Sequence, residues 1–190
     1  MKLVFATHNL NKYKEVKALL PHHFELLSLT DIGCEEDIPE TATTIEGNAI
    51  IKANYVRDEY GLDCFADDTG LEVKSLNNEP GVYSARYAGI ENNSEANMKK
   101  LLQKLDGHDD RSARFKTSIA LTLKGANNLF TGICEGIIVA EARGDRGFGY
   151  DPIFQPTGFD KTFAQMTLLQ KSEIGHRGKA MRQLIAYLSK

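Results

Sequence analysis

Long apolar runs are missing from this chain of 190 residues, and so is an excess of charge of one sign. The longest apolar run, residues 184–188, is far short of the roughly 20 residues that a membrane-spanning helix needs. Residues 3–6 are too short for the apolar region of a signal peptide. With 26 acidic and 23 basic side chains the net charge is −3, which argues against duplex nucleic acid as a partner. We therefore expect neither a membrane nor a nucleic acid as partner.

Cysteine is also scarce, and the three copies lie far apart at Cys34, Cys64 and Cys134. No CxxC or Cys/His pattern is present, which argues against a zinc site. Cys64 and Cys134 lie in apolar, strand-like runs, where a thiol packs as a small hydrophobic group. This pattern of cysteine use fits a cytoplasmic location.

What is present is an ordinary globular composition, with 42% hydrophobic and 26% charged residues. A chain of this length predicts a single domain over residues 1–190, of one or two lobes, with an ample core. The charge is unevenly spread: residues 31–72 hold 12 acids and 2 bases, whereas residues 161–190 hold 6 bases and one acid. Such runs are typical of a solvated surface, and the alternative is one site assembled from an acidic and a basic part.

Periodicity of apolar residues indicates a mixture of helices and strands and predicts an α/β domain with a twisted mixed sheet. The predicted strands are residues 2–7, 24–29, 114–124 and 129–140, the last two joined by a hairpin turn at 125–128. The predicted helices begin at Asn9 and near residues 45, 98 and 181. Residues 63–74 are expected to form two short strands separated by a turn at 67–70. Residues 30–44 and 144–158 are expected to be loops.

Two segments suggest chemistry near the ends of predicted strands. Residues 7–12 link the first strand to a helix, and such a turn can direct free N–H groups and the side chain of Lys12 at an anion. A plain helix cap by Asn9 explains the same residues. Asp67 and Asp68 follow a buried run and could bind a hard cation, act as a general base or simply cap a turn. Glu40 or Glu46 could supply a second ligand.

Further candidates lie outside these two segments. Lys52 borders the apolar stripe of the second helix, a position where lysine usually extends to solvent. The loop at 147–152 carries two aromatic residues and an acid between glycines, and could either stack a flat ring or plug the core. Lys171 and Arg177 have the chemistry of phosphate binding, with His176 beside them. Each of these features is ambiguous by itself.

Together the segments resemble the inosine triphosphate pyrophosphatase family, whose bacterial members are dITP/XTP diphosphatases. The resemblance covers nearly the whole chain, and the matching segments are residues 6–12, 48–53, 66–71, 80–87, 147–152 and 176–178. It implies hydrolysis of ITP, dITP and XTP to the monophosphate and pyrophosphate with Mg²⁺. It also implies a homodimer and an elongated, two-lobed α/β fold with flanking helices and the active site in the cleft between the lobes.

The resemblance also implies roles for individual residues. Asp68 would be the catalytic proton acceptor, and Glu40 and Asp68 would bind Mg²⁺. The residues implied in substrate binding are Thr7, His8, Asn9, Leu10, Asn11, Lys12, Lys52, Thr69, Phe148, Gly149, Tyr150, Asp151, Lys171, His176 and Arg177. Phe148 is the candidate for stacking on the purine.

Three positions depart from the family pattern, in which glycine often stands at Asn11, serine at Thr69 and serine at Gly175. The Asn11 difference makes the phosphate loop less open, whereas Thr69 keeps its hydroxyl group. Gly175 removes one hydrogen bond to the base. Two other functions remain alternatives: a nucleotide sensor without catalysis, and a magnesium-dependent phosphatase that releases orthophosphate.

Overall fold

A computed structural model describes residues 1–190 of the chain. The five helices are α1 (Leu10–Leu19), α2 (Ile45–Tyr60), α3 (Ser94–Lys104), α4 (Leu168–Ile174) and α5 (His176–Leu188). The seven strands are β1 (Lys2–Phe5), β2 (Glu25–Leu27), β3 (Cys64–Val73), β4 (Glu79–Gly81), β5 (Ser112–Leu123), β6 (Ala126–Ile138) and β7 (Phe154–Pro156). They form one mixed sheet in the order β2-β1-β3-β5-β6-β7, and β4 pairs with β3. The predicted α/β class with a mixed sheet and flanking helices is confirmed.

The chain divides into two compact units. The first comprises residues 1–68, 117–132 and 177–190, and the second comprises residues 69–116 and 133–176. In the first unit β1 pairs in parallel with both β2 and β3. One face of its sheet packs on apolar residues of α1 and α5, including Val16 and Met181, and the other on Ala49 and Ala53 of α2. The first unit is therefore a sheet covered by helices on both faces.

The second unit has a core of its own. Leu101 of α3 is fully buried there together with Phe154, and Phe163 packs with them. The rings of Phe115 and Phe154 meet edge to face with their centroids 4.7 Å apart. Its core therefore combines strand, helix and loop residues. None of the helices in either unit is long and apolar enough to cross a membrane.

Local signals explain most helix boundaries. The side chain of Asn9 caps α1 by accepting hydrogen bonds from the N–H groups of Asn11 and Lys12. Thr44 caps α2 in the same way, and Gly61 ends α2 in the left-handed conformation with φ of 66°. The four predicted helices are confirmed, whereas α4 was not predicted from the sequence.

Three predictions about the strands were wrong. Residues 67–70 do not form a turn, because β3 runs unbroken through them. The predicted hairpin between β5 and β6 is present, but the bounds of its turn were wrong: it turns at Lys124 and Gly125, both with positive φ, and residues 126–128 belong to β6. The segment 144–158 is not entirely a loop, since it contains β7, which pairs with β6.

Candidate active site

The unbroken course of β3 decides where the two adjacent aspartates of the chain lie. Successive side chains of a strand point to opposite faces, so Asp67 and Asp68 have different neighbours. Both carboxylates are buried, with 0% and 6% of the residue exposed. A buried carboxylate needs partners for its oxygens, and the first unit supplies different ones to each.

Asp67 is held by two cations. Its Oδ1 accepts a hydrogen bond from Lys12 Nζ at 3.0 Å, and its Oδ2 accepts one from Arg177 Nε at 2.9 Å. Burial by itself would raise the pKa of Asp67, but the charges of Lys12, Arg177 and Lys52 outweigh it and lower that pKa. Asp67 is therefore an anionic anchor for Lys12 and Arg177.

Arg177 has a second acid partner, because its Nη1 donates to Glu15 Oε2. Arg177 and Glu15 are both buried, on α5 and α1 respectively. Burial would lower the pKa of Arg177, but Asp67 and Glu15 raise it. Glu15, Arg177, Asp67 and Lys12 thus form a chain of alternating charge. Glu15 was not among the predicted site residues, because an acid on a helix beside apolar positions does not by itself indicate a buried partner.

Asp68 lies in a different environment, facing α2. Its Oδ1 is 3.5 Å from Lys52 Nζ, and its Oδ2 accepts a hydrogen bond from Asn48 Nδ2 at 3.3 Å. Burial is the largest influence on Asp68 and raises its pKa, although Lys52 and Lys12 oppose this. A carboxylate with a raised pKa is suited to accepting a proton. Of the two aspartates, Asp68 therefore has the properties of a general base.

Lys52 joins Asp68 to Glu40. Its ammonium group lies 2.6 Å from Glu40 Oε1, and the lysine is buried with 7% exposed. Burial would lower the pKa of Lys52, but Asp68, Glu40 and Asp67 raise it. Lys52 does not extend to solvent from the edge of the helix, because these carboxylates hold it inside. A cation between Glu40 and Asp68 shows that this place in the first unit favours positive charge.

The segment at residues 7–12 differs in part from the expectation of free N–H groups. Asn9 Oδ1 already accepts hydrogen bonds from the N–H groups of Asn11 and Lys12. The N–H of Asn9 itself donates to Thr7 Oγ1. An anion at this turn would therefore depend mainly on the side chain of Lys12, whose pKa burial lowers in spite of Asp67. His8 and Leu10 are exposed, and a ring nitrogen of His8 lies 3.0 Å from the carbonyl oxygen of Glu36.

In the second unit, Asp151 contacts two of the other predicted residues, Phe148 and Lys171. Its Oδ2 accepts hydrogen bonds from Lys171 Nζ at 2.6 Å and from the N–H of Phe148 at 2.9 Å. Lys171 Nζ also lies 4.9 Å from the centre of the Phe148 ring. Gly147 makes this possible, since a Cβ there would overlap Asp151 Oδ2. Asp151 thus fixes both the loop at 147–149 and the ammonium group of Lys171.

Other predicted residues of the second unit have structural partners. Tyr150 is buried in the core and donates to the carbonyl oxygen of Ser84, so it plugs the core as the alternative interpretation held. His176 stacks on Phe115 with centroids 4.6 Å apart. Thr69 and Gly149 are half-buried, and Gly149 has a positive φ of 63°. Whether these residues contact substrate stays a prediction.

A family model described as the Ham1 family matches residues 3–187 of the chain. The dITP/XTP pyrophosphatase of Christiangramia forsetii is 67% identical over 190 residues, which cover all of both proteins. The dITP/XTP pyrophosphatase of Porphyromonas gingivalis is 50% identical over 98% of the chain and 97% of that protein. The solved structure of the Staphylococcus aureus Ham1 protein superposes with a TM-score of 0.91 at 39% identity, covering 100% of this chain and 98% of that one.

Proposed function

The chain belongs to the Ham1 family, and from this premise we propose that it is a nucleoside-triphosphate pyrophosphatase. Its substrates are the non-canonical purine nucleotides ITP, dITP and XTP, which it converts to the monophosphate and pyrophosphate and so removes from the nucleotide pool. The observation that carries this proposal is the contrast between Asp67 and Asp68. Asp67 is held by Lys12 and Arg177, whereas Asp68 lies beside Lys52 and has a raised pKa.

In the proposed reaction Asp68 orients the attacking water and accepts its proton. The oxygen of that water forms a bond to the α-phosphorus, and the bond from the α-phosphorus to the oxygen that bridges it to the β-phosphate breaks. Pyrophosphate leaves with the electron pair. A positioned base of this kind contributes roughly 10²–10⁴-fold to a rate. The position of Asp68 supports this role, because Asn48 holds one oxygen of its carboxylate and the other faces the place that Lys52 shares with Glu40.

The proposed cofactor is Mg²⁺, which Glu40 and Asp68 would hold. No group of three or more His, Cys, Asp or Glu side chains in the chain could hold a metal ion by itself. Two carboxylates nevertheless fit Mg²⁺, which is usually bound by one or two carboxylates together with substrate phosphates and water. When bound, the ion would offset phosphate charge and withdraw electron density from the reacting phosphorus.

The basic side chains Lys12, Lys52, Lys171 and Arg177 are the proposed partners of the triphosphate. Phe148 is the proposed stacking residue for the purine, since its ring is only half-buried. Selectivity against ATP has a physical basis, because the 6-keto group of hypoxanthine and xanthine accepts hydrogen bonds whereas the 6-amino group of adenine donates them. Guanine also has a 6-keto group, so rejection of GTP must act at its 2-amino group. A site that depends on such hydrogen bonds can reject the wrong base by about 10⁴–10⁵.

We also propose that the enzyme works in the cytoplasm as a homodimer. Light scattering on purified protein should then give twice the chain mass of 21.1 kDa. A mass of a single chain at working concentration would contradict the homodimer.

One product assay tests the proposed activity. The protein is incubated with Mg²⁺ and, separately, with ITP, XTP, dITP, ATP and GTP, and the products are identified by chromatography. We expect pyrophosphate and the monophosphate from the first three nucleotides and far less from ATP and GTP. Orthophosphate as the product would indicate a phosphatase, and binding without any product would indicate a sensor.

A further inference from the structure

Asn48 connects Asp68 to the segment that carries Glu40, although no role for Asn48 was predicted from the sequence. It lies on the inner face of α2 and is completely buried. Its Oδ1 accepts a hydrogen bond from the N–H of Ala42 at 2.9 Å, and its Nδ2 donates to Asp68 Oδ2 at 3.3 Å. Both ends of the amide are therefore engaged inside the first unit.

The orientation of this amide follows from its neighbours. A backbone N–H can only donate, so the oxygen of Asn48 must face Ala42. The amino group is then directed at Asp68, where only a donor is compatible with an ionised carboxylate. Ala42 thus fixes the side of Asn48 that Asp68 meets.

The same contact anchors the segment that carries Glu40. Ala42 is two residues after Glu40, and a Cβ at Gly47 would lie 2.6 Å from the Cβ of Ala42. The absence of a side chain at Gly47 therefore lets this segment lie directly on the first turn of α2. Thr44 completes the attachment by accepting a hydrogen bond from the N–H of Gly47 at 3.0 Å.

The two oxygens of the Asp68 carboxylate face two different donors, one of which is Asn48. Oδ2 faces Asn48, and Oδ1 faces Lys52, which is itself bound to Glu40. Rotation of the carboxylate would break both contacts at once. The amide thereby sets the orientation of the carboxylate, with one oxygen directed towards the place that Lys52 shares with Glu40.

We propose that Asn48 is a positioning residue that sets the orientation of Asp68 and the placement of Glu40 for metal binding and water activation. The proposal rests on the function proposed above and assigns Asn48 no contact with substrate. Groups that orient metal ligands typically contribute about 10–100-fold to metal affinity or activity.

The main test is Asn48→Asp, which nearly preserves shape. One oxygen of the new carboxylate at position 48 can still accept a hydrogen bond from the N–H of Ala42. Its other oxygen replaces the amino group that donated to Asp68, so two carboxylate oxygens then face each other. We expect kcat for ITP to fall by about 10–100-fold and the Mg²⁺ concentration for half-activation to rise by a similar factor. The KM for ITP at saturating Mg²⁺ should change much less, because Asn48 does not contact the nucleotide.

Asn97 provides a matched control in the second unit. It is equally a buried helical asparagine, with 3% exposed, and its amide accepts from the N–H of Ala88 and donates to the carbonyl oxygen of Ala85. Asn97→Asp should lower the thermal midpoint as Asn48→Asp does, but leave kcat and the Mg²⁺ requirement unchanged. A merely structural role of Asn48 predicts the same behaviour for both variants.

Metal binding without turnover provides an independent readout. The affinity of substrate-free protein for Mn²⁺, measured by electron paramagnetic resonance, should fall in Asn48→Asp and not in Asn97→Asp. Asn48→Ala, which removes both hydrogen bonds without adding charge, is measured beside Asn48→Asp, because the added carboxylate by itself alters the attraction of a cation. Wild-type kcat, Mg²⁺ requirement and Mn²⁺ affinity in the folded Asn48 variant would overturn the proposal. If the wild-type protein hydrolyses no ITP or XTP, the proposed function fails, and Mn²⁺ affinity alone decides the role of Asn48.

Discussion

At the scale of single residues, two neighbouring aspartates with identical chemistry have opposite electrostatic properties. Lys12 and Arg177 bind both oxygens of Asp67 and lower its pKa, whereas burial raises the pKa of Asp68. The sequence predicts a pair of acids and, by resemblance, which of them acts. The physical distinction depends on partners that lie 55 and 110 residues from Asp67 along the chain.

Asp68→Asn should abolish most turnover and retain part of the substrate binding. It should also raise the thermal midpoint at neutral pH. Because the folded pKa of Asp68 is above its unfolded value of about 3.9, ionisation costs stability as pH rises from that value, and asparagine removes this cost. Lys52 keeps Glu40 as its partner. Steady-state kinetics and calorimetry test this, and near-normal turnover or a lower midpoint would contradict it.

Asp67→Asn should have the opposite effect on stability. It leaves Lys12 and Arg177 without a shared buried counter-charge, a change that typically costs about 3–5 kcal/mol. The folded pKa of Asp67 is lowered, so its contribution is complete above the unfolded value of about 3.9 and is lost as pH falls towards the folded pKa. Urea unfolding at neutral and acid pH measures the difference from wild type, which should shrink in acid. If the difference in unfolding free energy between wild type and Asp67→Asn were the same at both pH values, the ion pairs of Asp67 would not be its source.

At the scale of elements, the prediction failed where charge pairing overrides local preference. Asp and Gly disfavour strands, so residues 67–70 suggest a turn. The strand β3 nevertheless continues through them, because cations from α1, α2 and α5 hold its aspartates. Capped helices and apolar strands were predictable, because their signals lie within a few residues of each boundary. The short strands β4 and β7 have no such local signal and exist through their pairing with β3 and β6.

The loop before Asp151 provides a prediction at this scale. Gly147→Ala adds a Cβ that overlaps Asp151 Oδ2, and it does so at a positive φ of 74°. We expect displacement of the carboxylate, loss of its hydrogen bonds to Phe148 and Lys171, a clear loss of stability and a raised KM for ITP. Differential scanning calorimetry and steady-state kinetics measure these effects.

Gly158→Ala is the control for backbone strain alone. Gly158 lies in the same unit with φ of 86°, and a Cβ there meets nothing within 4 Å. The Gly158→Ala variant should lose only the roughly 1–2 kcal/mol of folding free energy that an alanine in the left-handed conformation costs, and its KM for ITP should equal that of the wild type. Equal effects of the two substitutions would contradict the role given to Gly147.

At the scale of the whole molecule, each unit buries a core of its own and the cysteines lie inside these cores. Cys34, Cys64 and Cys134 are all free thiols and all buried. Burial raises the pKa of Cys64 to about 11, although Thr122 opposes this. The prediction that Cys64 and Cys134 pack as small hydrophobic groups is confirmed.

Thiol reactivity tests the integrity of both units together. The native protein should react very slowly with Ellman's reagent, because reaction requires an accessible thiolate. After unfolding in guanidinium chloride, all three thiols should react. Rapid modification of even one thiol in the native protein would show that its unit opens readily.

The amino-acid sequence was enough to predict the α/β class, the capped helices, the separation of acidic from basic stretches and the family that the motifs resemble. These properties depend on periodicity, on capping residues and on short segments, all of which can be read within a few neighbouring positions. The fold was needed to show that Arg177, from the basic stretch, binds Asp67, from the acidic one. It was also needed to show that Glu15 contacts Arg177 and that Asn48 contacts Asp68. The net charge of −3 conceals this pairing. The physical reason is that a buried charge is stable only beside a partner, and folding alone determines which distant side chain becomes that partner.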